Sequence, residues 1–277
     1  MGHTMAPFLL PDGFGRPALA ALAREGSVVT EAGRLAIRRG AARRHRRRTP
    51  YARRAAVRAA EPVLLVPGFL AGDWTLRQMS GVLREQGFRT YRSHIFANVN
   101  CTLDAAALLE ERIEQVVERR GNRVQIVGHS LGGMIARGLA ARRPDLVAGI
   151  VTMGSPMLAP AAHHRLLTGG VTVLNRLSRL GLAGVMSEQC VSGACAELSF
   201  RESQEPLLDH VAMTNVYSRR DGIVDWRACI DPQGRAVEVR ASHIGMALDP
   251  RVSDVVAESL LLQSSAESAE AWRQTGA

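Results

Sequence analysis

A serine set between two glycines, in Gly128-His129-Ser130-Leu131-Gly132, is the pattern in this chain with the clearest chemical capacity. The stretch before it, Val124 to Val127, reads as a buried strand, and Met134 to Ala140 continues beyond it as a helix. A strand that turns abruptly into a helix presses the positions two before and two after the serine against neighbouring backbone, where side chains would clash. The serine is left at the tip in a strained conformation with its hydroxyl exposed. The helix N-terminus beneath it offers free N–H groups and a partial positive charge to any oxyanion that forms. The plain alternative is a glycine-rich turn carrying a surface serine.

A serine hydroxyl is a poor nucleophile near neutral pH and needs a base. Downstream, Asp221 follows an expected strand in Ser218-Arg219-Arg220-Asp221-Gly222, and His243 follows the next strand in Ser242-His243-Ile244-Gly245. Both fall in loops at strand ends, the same edge as the serine, in the order Ser, Asp, His. Asp225 is the alternative acid, although Asp221 opens the loop directly after its strand. His129 reads as a packed support of the turn, because adjacent side chains on a sharp bend diverge. His163 and His164 are expected on a surface, and His94 and His210 in structural roles.

The elements that must position these residues follow from hydrophobic periodicity. Pro62 to Phe69 reads as a buried strand ending in a Pro-Gly turn, Trp74 to Gln86 as a helix, and Phe88 to Phe96 as a strand irregular at its ends. Thr102 to Arg120 is a helix with Leu109, Ile113, Val116 and Val117 on one face and Gly121 behind its last turn. Val147 to Met153 is another buried strand, Met213 to Ser218 and Ala236 to Arg240 are two more, and Val252 to Leu262 is a final helix with a frayed tail from Ser264. Strands alternating with helices at this spacing give an α/β fold: a mostly parallel central sheet covered by helices on both faces. Residues 157–212 break the alternation. The stripe Val173, Leu174, Leu177, Leu180 marks a helix there, read first as ordinary packing. The insertion leaves the sheet at its strand C-terminal side, where ligands bind in open α/β sheets, so it is expected to be a helical cap over the pocket. The divisions are then an Arg-rich segment at 1–60, a core in two parts at 61–156 and 213–265, the cap at 157–212, and a tail at 266–277.

With Leu65-Val66-Pro67-Gly68-Phe69, Gly128 to Gly133, Thr152-Met153-Gly154-Ser155-Pro156, Asp221-Gly222-Ile223-Val224 and His243-Ile244-Gly245-Met246 occurring in order, the chain resembles the lipase and esterase branch of the α/β-hydrolase superfamily. It is most similar to bacterial triacylglycerol-lipase-like hydrolases of the actinobacterial kind, from about Pro62 to Leu262. Pro67 departs from the His that many such enzymes carry before Gly, which bears on the shape of the oxyanion loop. The resemblance implies a serine carboxylic-ester hydrolase with Ser130 as nucleophile, His243 as base and Asp221 as the acid that fixes the imidazole. It places the backbone N–H groups of Phe69 and Leu131 in the oxyanion hole, and it requires no metal or organic cofactor. The implied partner is a small ester or lipid with an apolar acyl part. An acyltransferase using the same triad, and a non-catalytic protein docking to membrane or nucleic acid, are the rival readings.

Charge and composition limit the rest. The chain has 277 residues, 46% of them hydrophobic, enough for a sizeable core. No apolar run approaches the roughly 20 residues that span a bilayer, and the first residues lack a continuous apolar signal region, so a cytoplasmic protein is expected. All of the basic charge is Arg, and residues 1–60 hold thirteen Arg against three acids, a net of +10 within a total of +9. Arg38 to Arg58 reads first as a solvated linker; the functional alternative is peripheral contact with an anionic membrane. Nucleic acid is not expected, because only Tyr51 is at hand for stacking. Removal of residues 1–58 is accordingly expected to leave an esterase its turnover. The four cysteines show no metal spacing and are expected reduced, packing as small apolar residues; a Cys190–Cys195 disulfide has no export signal to favour it.

Overall fold

Short segments rich in Val, Ile and Leu, buried on both sides, assemble as the parallel sheet that such runs favour. The computed structural model describes residues 5–48 and 61–275, with side chains at 5–41 and 61–264. Strands β1 (Val63–Val66), β2 (Thr90–Arg92), β3 (Val124–His129), β4 (Val147–Met153), β5 (Ala212–Tyr217) and β6 (Arg235–Glu238) form one sheet in the order β2-β1-β3-β4-β5-β6. Every neighbouring pair is parallel. Alternate residues feed two cores. Leu65, Val127, Val151 and Val216 pack with α2 (Arg77–Glu85) and α8 (Pro250–Thr275). Leu64, Val66, Ile126 and Ile150 pack with α3 (Thr102–Arg120) and α4 (Leu131–Arg142) on the other face.

Because the strands are parallel, their C-terminal ends share one edge. The loops at 67–73, 129–130, 154–164, 218–225 and 239–243 all leave from it. The elements follow the sequence with local differences. Strand β2 covers only Thr90–Arg92, because Asp73 accepts the N–H groups of Ser93 and His94 and the Ser93 hydroxyl, turning the chain out of the sheet. Helix α8 runs on to Thr275, past the point near Leu262 where periodicity ends it.

Between β4 and β5 lie α5 (Arg165–Arg179), α6 (Gln189–Ser192) and α7 (Ala194–Gln204). The expected α5 stripe splits. Leu174 is buried with Val171, Met186 and Val191, whereas Val173 and Leu180 face solvent, Leu180 at 83% exposure. His163 and His164, expected on a surface, are buried: the His164 ring accepts the Leu166 N–H at the start of α5, and His163 bridges to Val224.

The N-terminal segment is also part of the fold. Two short 3-10 turns (Pro7–Leu9 and Leu19–Ser27) lead into α1 (Val28–Arg48), which lies against α8 through Arg34–Asp249 and Arg38–Asp254, each at 2.7 Å. Arg39 reaches Gln78 on α2. Of the Arg38 to Arg58 stretch, residues 49–60 lie outside the described residues. Among those described, no helix is long and apolar enough to cross a membrane.

Candidate active site

Ser130 sits where β3 hands over to α4, at φ 53° and ψ −123°, one of three non-glycine residues with positive φ among those described. Such backbone costs about 1–3 kcal/mol and persists only where the surroundings enforce it. Here the flanking glycines allow that enforcement. A Cβ on Gly128 would stand 2.4 Å from the Gly133 Cα, and one on Gly132 would stand 2.3 Å from the Val66 carbonyl oxygen. The strand and helix therefore close to distances only glycine permits. The Ser130 N–H donates to the Met153 carbonyl at 2.9 Å, tying the turn to the end of β4.

Asp221 and His243 meet at this edge. His243 Nδ1 donates to Asp221 Oδ2 at 2.7 Å, with both side chains almost fully buried. The other carboxylate oxygen, Oδ1, accepts the N–H groups of Ile223 and Val224 at 2.8 Å each, so the acid is aimed by its own loop. Asp225 is engaged elsewhere, accepting from the Arg227 and Gly15 amides. Gly154, next to Met153, closes the space between these groups: a Cβ there would lie 3.0 Å from His243 Nδ1 and 3.2 Å from Asp221 Oδ2. The His129 ring, beside Ser130, packs on the His243 ring with centroids 4.9 Å apart, and its Nε2 reaches the His243 carbonyl at 3.0 Å. Among the described residues the Ser130 hydroxyl makes no hydrogen bond; it opens on the pocket. Contacts of this kind often tighten only with substrate in place.

The charges are arranged to separate the two imidazoles. Burial opposes a charged His243, but the charge of Asp221 and its hydrogen bond, with the charge of Glu25 added, outweigh it and hold the pKa above the ordinary value. Burial, and then the proximity of His243, pull His129 down to about 3, so it stays neutral.

Of the two amides expected in the oxyanion hole, that of Leu131 follows Ser130 directly and that of Phe69 lies on the β1 loop, next to Gly68. Leu131 is the first residue of α4, so its N–H has no intrahelical acceptor. On the β1 loop, Leu70 N–H donates to the Asn98 carbonyl and Ala71 N–H to that of Gly68. The loop is held in place by buried Asn98, whose Nδ2 donates to the Pro67 carbonyl at 2.9 Å. A Cβ on Gly68 would touch the Ser130 Cβ at 3.0 Å, which shows how closely this loop approaches the turn. Phe69 and Leu131 also line the pocket, a largely apolar space with walls from Met134, Leu167, Val171 and Phe200 and from two N-terminal residues, Met5 and Leu9.

Sequence reasoning missed Asn98 and also Glu25 and Glu31. Glu25 Oε1 accepts the Gly222 and His243 N–H groups at 2.9 and 3.0 Å, and its Oε2 accepts that of Ile244 at 3.0 Å. Buried Glu31 accepts the Ser242 N–H at 2.8 Å and its hydroxyl at 2.7 Å. Deletion of residues 1–58, expected to leave turnover intact, would take away pocket wall and loop support together. Three of the four cysteines converge as well. The sulfurs of Cys101, Cys190 and Cys195 lie within 4.8 Å of one another, a metal-capable grouping that their spacing does not announce, and Cys190 lines the pocket.

Comparison with known proteins agrees on the architecture. A family profile described as the alpha/beta hydrolase fold matches residues 61–171. The mature form of a Bacillus licheniformis lipase superposes with a TM-score of 0.58 at 14% identity, covering 73% of this chain and 92% of the other. A Paleococcus ferrophilus monoacylglycerol lipase gives 0.52 at 16% identity, covering 73% and 96%. Est1E from Butyrivibrio proteoclasticus, with ferulic acid bound, gives 0.50 at 14% identity, covering 74% and 90%. At these identities the likeness is one of fold.

Proposed function

We propose that this chain is a serine carboxylic-ester hydrolase of the α/β-hydrolase superfamily, acting on esters with an apolar acyl part. The observation that supports this most is the strained Ser130, open to an apolar pocket beside a buried imidazole–carboxylate pair. Asp221 fixes the proton on His243 Nδ1 and leaves Nε2 as the base. His243 takes the Ser130 proton as Oγ attacks the ester carbonyl carbon. The amides of Phe69 and Leu131 bind the oxyanion, each contributing about 3–4 kcal/mol at comparable sites. His243 returns the proton to the leaving alcohol, then takes one from water as its oxygen attacks the acyl carbonyl, and passes it to Ser130 Oγ as the acid leaves. Residues 157–212 act as a cap: they supply much of the pocket wall and shield the acyl-enzyme from bulk water. Lipase and monoacylglycerol lipase relatives of the same fold support a lipid ester as the substrate class.

The test is turnover of p-nitrophenyl esters from acetyl to palmitoyl, with and without a lipid interface, for the wild type and Ser130→Ala. A preference for longer acyl chains, lost in the variant, is expected. Equal turnover in Ser130→Ala would end the reading.

A further inference from the structure

We infer that the N-terminal segment completes the active site, with Glu25 acting as a positioning residue that holds the loops of His243 and Asp221 in register. This rests on the hydrolase reading of Ser130, Asp221 and His243. The segment lies outside the matched residues 61–171, and its sequence is dominated by Arg, which hides the role of its two buried or half-buried acids.

The geometry is specific. One carboxylate spans two catalytic loops: Glu25 Oε1 accepts from Gly222, next to Asp221, and from His243 itself, while Oε2 accepts from Ile244. The loop backbones therefore share one anchor, and the 2.7 Å contact between His243 and Asp221 is set from outside both loops. Glu31 grips the preceding residue, Ser242, whose hydroxyl in turn accepts the Gly245 N–H at 3.0 Å. Fit is close enough to exclude side chains. A Cβ on Gly222 would stand 2.4 Å from the Ala21 carbonyl oxygen, and one on Gly245 would stand 1.7 Å from Glu31 Oε2. The segment also carries Met5 and Leu9 into the pocket wall, so docking it aligns the base and closes the acyl site in one event. Carboxylate acceptors make stronger hydrogen bonds to amides than neutral ones do. A Glu at this place therefore fixes the loops more firmly than Gln would, and adds a negative charge beside the imidazole that must become positive in the transition state.

Glu25→Gln separates positioning from mere folding support. The ionisable groups facing His243 are Asp221, His129, His163 and Glu25. Removing the last takes away charge that favours imidazolium, so the acid limb of kcat/KM moves to lower pH. The full-length variant is expected to keep its circular dichroism spectrum, to lose about 10- to 100-fold in kcat/KM, and to recover part of this as Glu25→Asp. His243 titration is followed in parallel by NMR, which needs no turnover. A Glu25→Gln protein with unchanged kcat/KM and unchanged His243 titration overturns the inference, as does a loss of rate with the limb and titration unmoved. A wild type without ester turnover would fault the hydrolase reading alone, since the titration still reports on Glu25.

Discussion

The proposed nucleophile, Ser130, and the proposed base, His243, are held in place by opposite means. Ser130 is fixed chiefly by its own motif and the adjoining strands: β3, α4 and the glycines between them, packed on Val66 of β1 and tied to Met153 of β4, force its backbone into a strained shape. His243 sits in a loop after the short edge strand β6, and it is fixed by Asp221, His129 and a glutamate 218 residues away. Local backbone geometry needs only a short motif. Long-range hydrogen bonds need a complete fold. The difference teaches that the serine turn should survive insults that misalign the base.

The largest effects come from breaking the chemistry common to both. Ser130→Ala should lower kcat by about 10^4- to 10^6-fold with the fold intact. Asp221→Asn should cost about 10^4-fold. Asp225→Asn should cost far less, since the Asp225 carboxylate accepts from the Arg227 side chain and from the Arg227 and Gly15 amides; steady-state kinetics on the pair decides the acid.

Next come changes that distinguish the two kinds of support. Gly132→Ala drives a Cβ toward the Val66 carbonyl, where backbone cannot yield, and should lower stability by about 1–3 kcal/mol in urea unfolding. Gly222→Ala meets the Ala21 carbonyl instead. It should displace the N-terminal segment, reducing turnover while leaving the cooperative unfolding of the sheet nearly unchanged. Equal losses of stability in both variants would erase the distinction.

The smallest effect is a displacement along the pH axis. With His243 held above its ordinary pKa, kcat/KM should fall as pH drops through a value above that of a free imidazole, because in the proposed mechanism only the neutral ring accepts the serine proton. His129, pulled down to about 3, is neutral throughout that range, so His129→Gln should leave the number of ionisations in the profile unchanged. A second limb lost in that variant would show that His129 titrates with the base.

The same contrast explains what the sequence disclosed. Helix α3, strand β4 and the serine turn are legible because periodicity and glycine placement are local signals. The pairing of Asp221 with His243 follows from strand-end positions on a parallel sheet. Glu25 and Glu31 are silent in sequence, since nothing near them names partners at Gly222 and at residues 242–244. Buried His163 and His164 are misread for a related reason: their strand-like partners are Val224 and Ile223, about 60 residues on. The short β2 depends on Asp73, about 20 residues upstream of the bend it creates.

The anchoring of α1 on α8 has a further consequence, for the order of assembly. Arg34 and Arg38 find Asp249 and Asp254 only after 215 and 216 further residues have been made, and Glu25 waits 218 for His243. Closing contacts of such sequence separation is slow. The serine turn can thus form before the N-terminal segment docks, whereas the loop of His243 gains its anchor only afterwards.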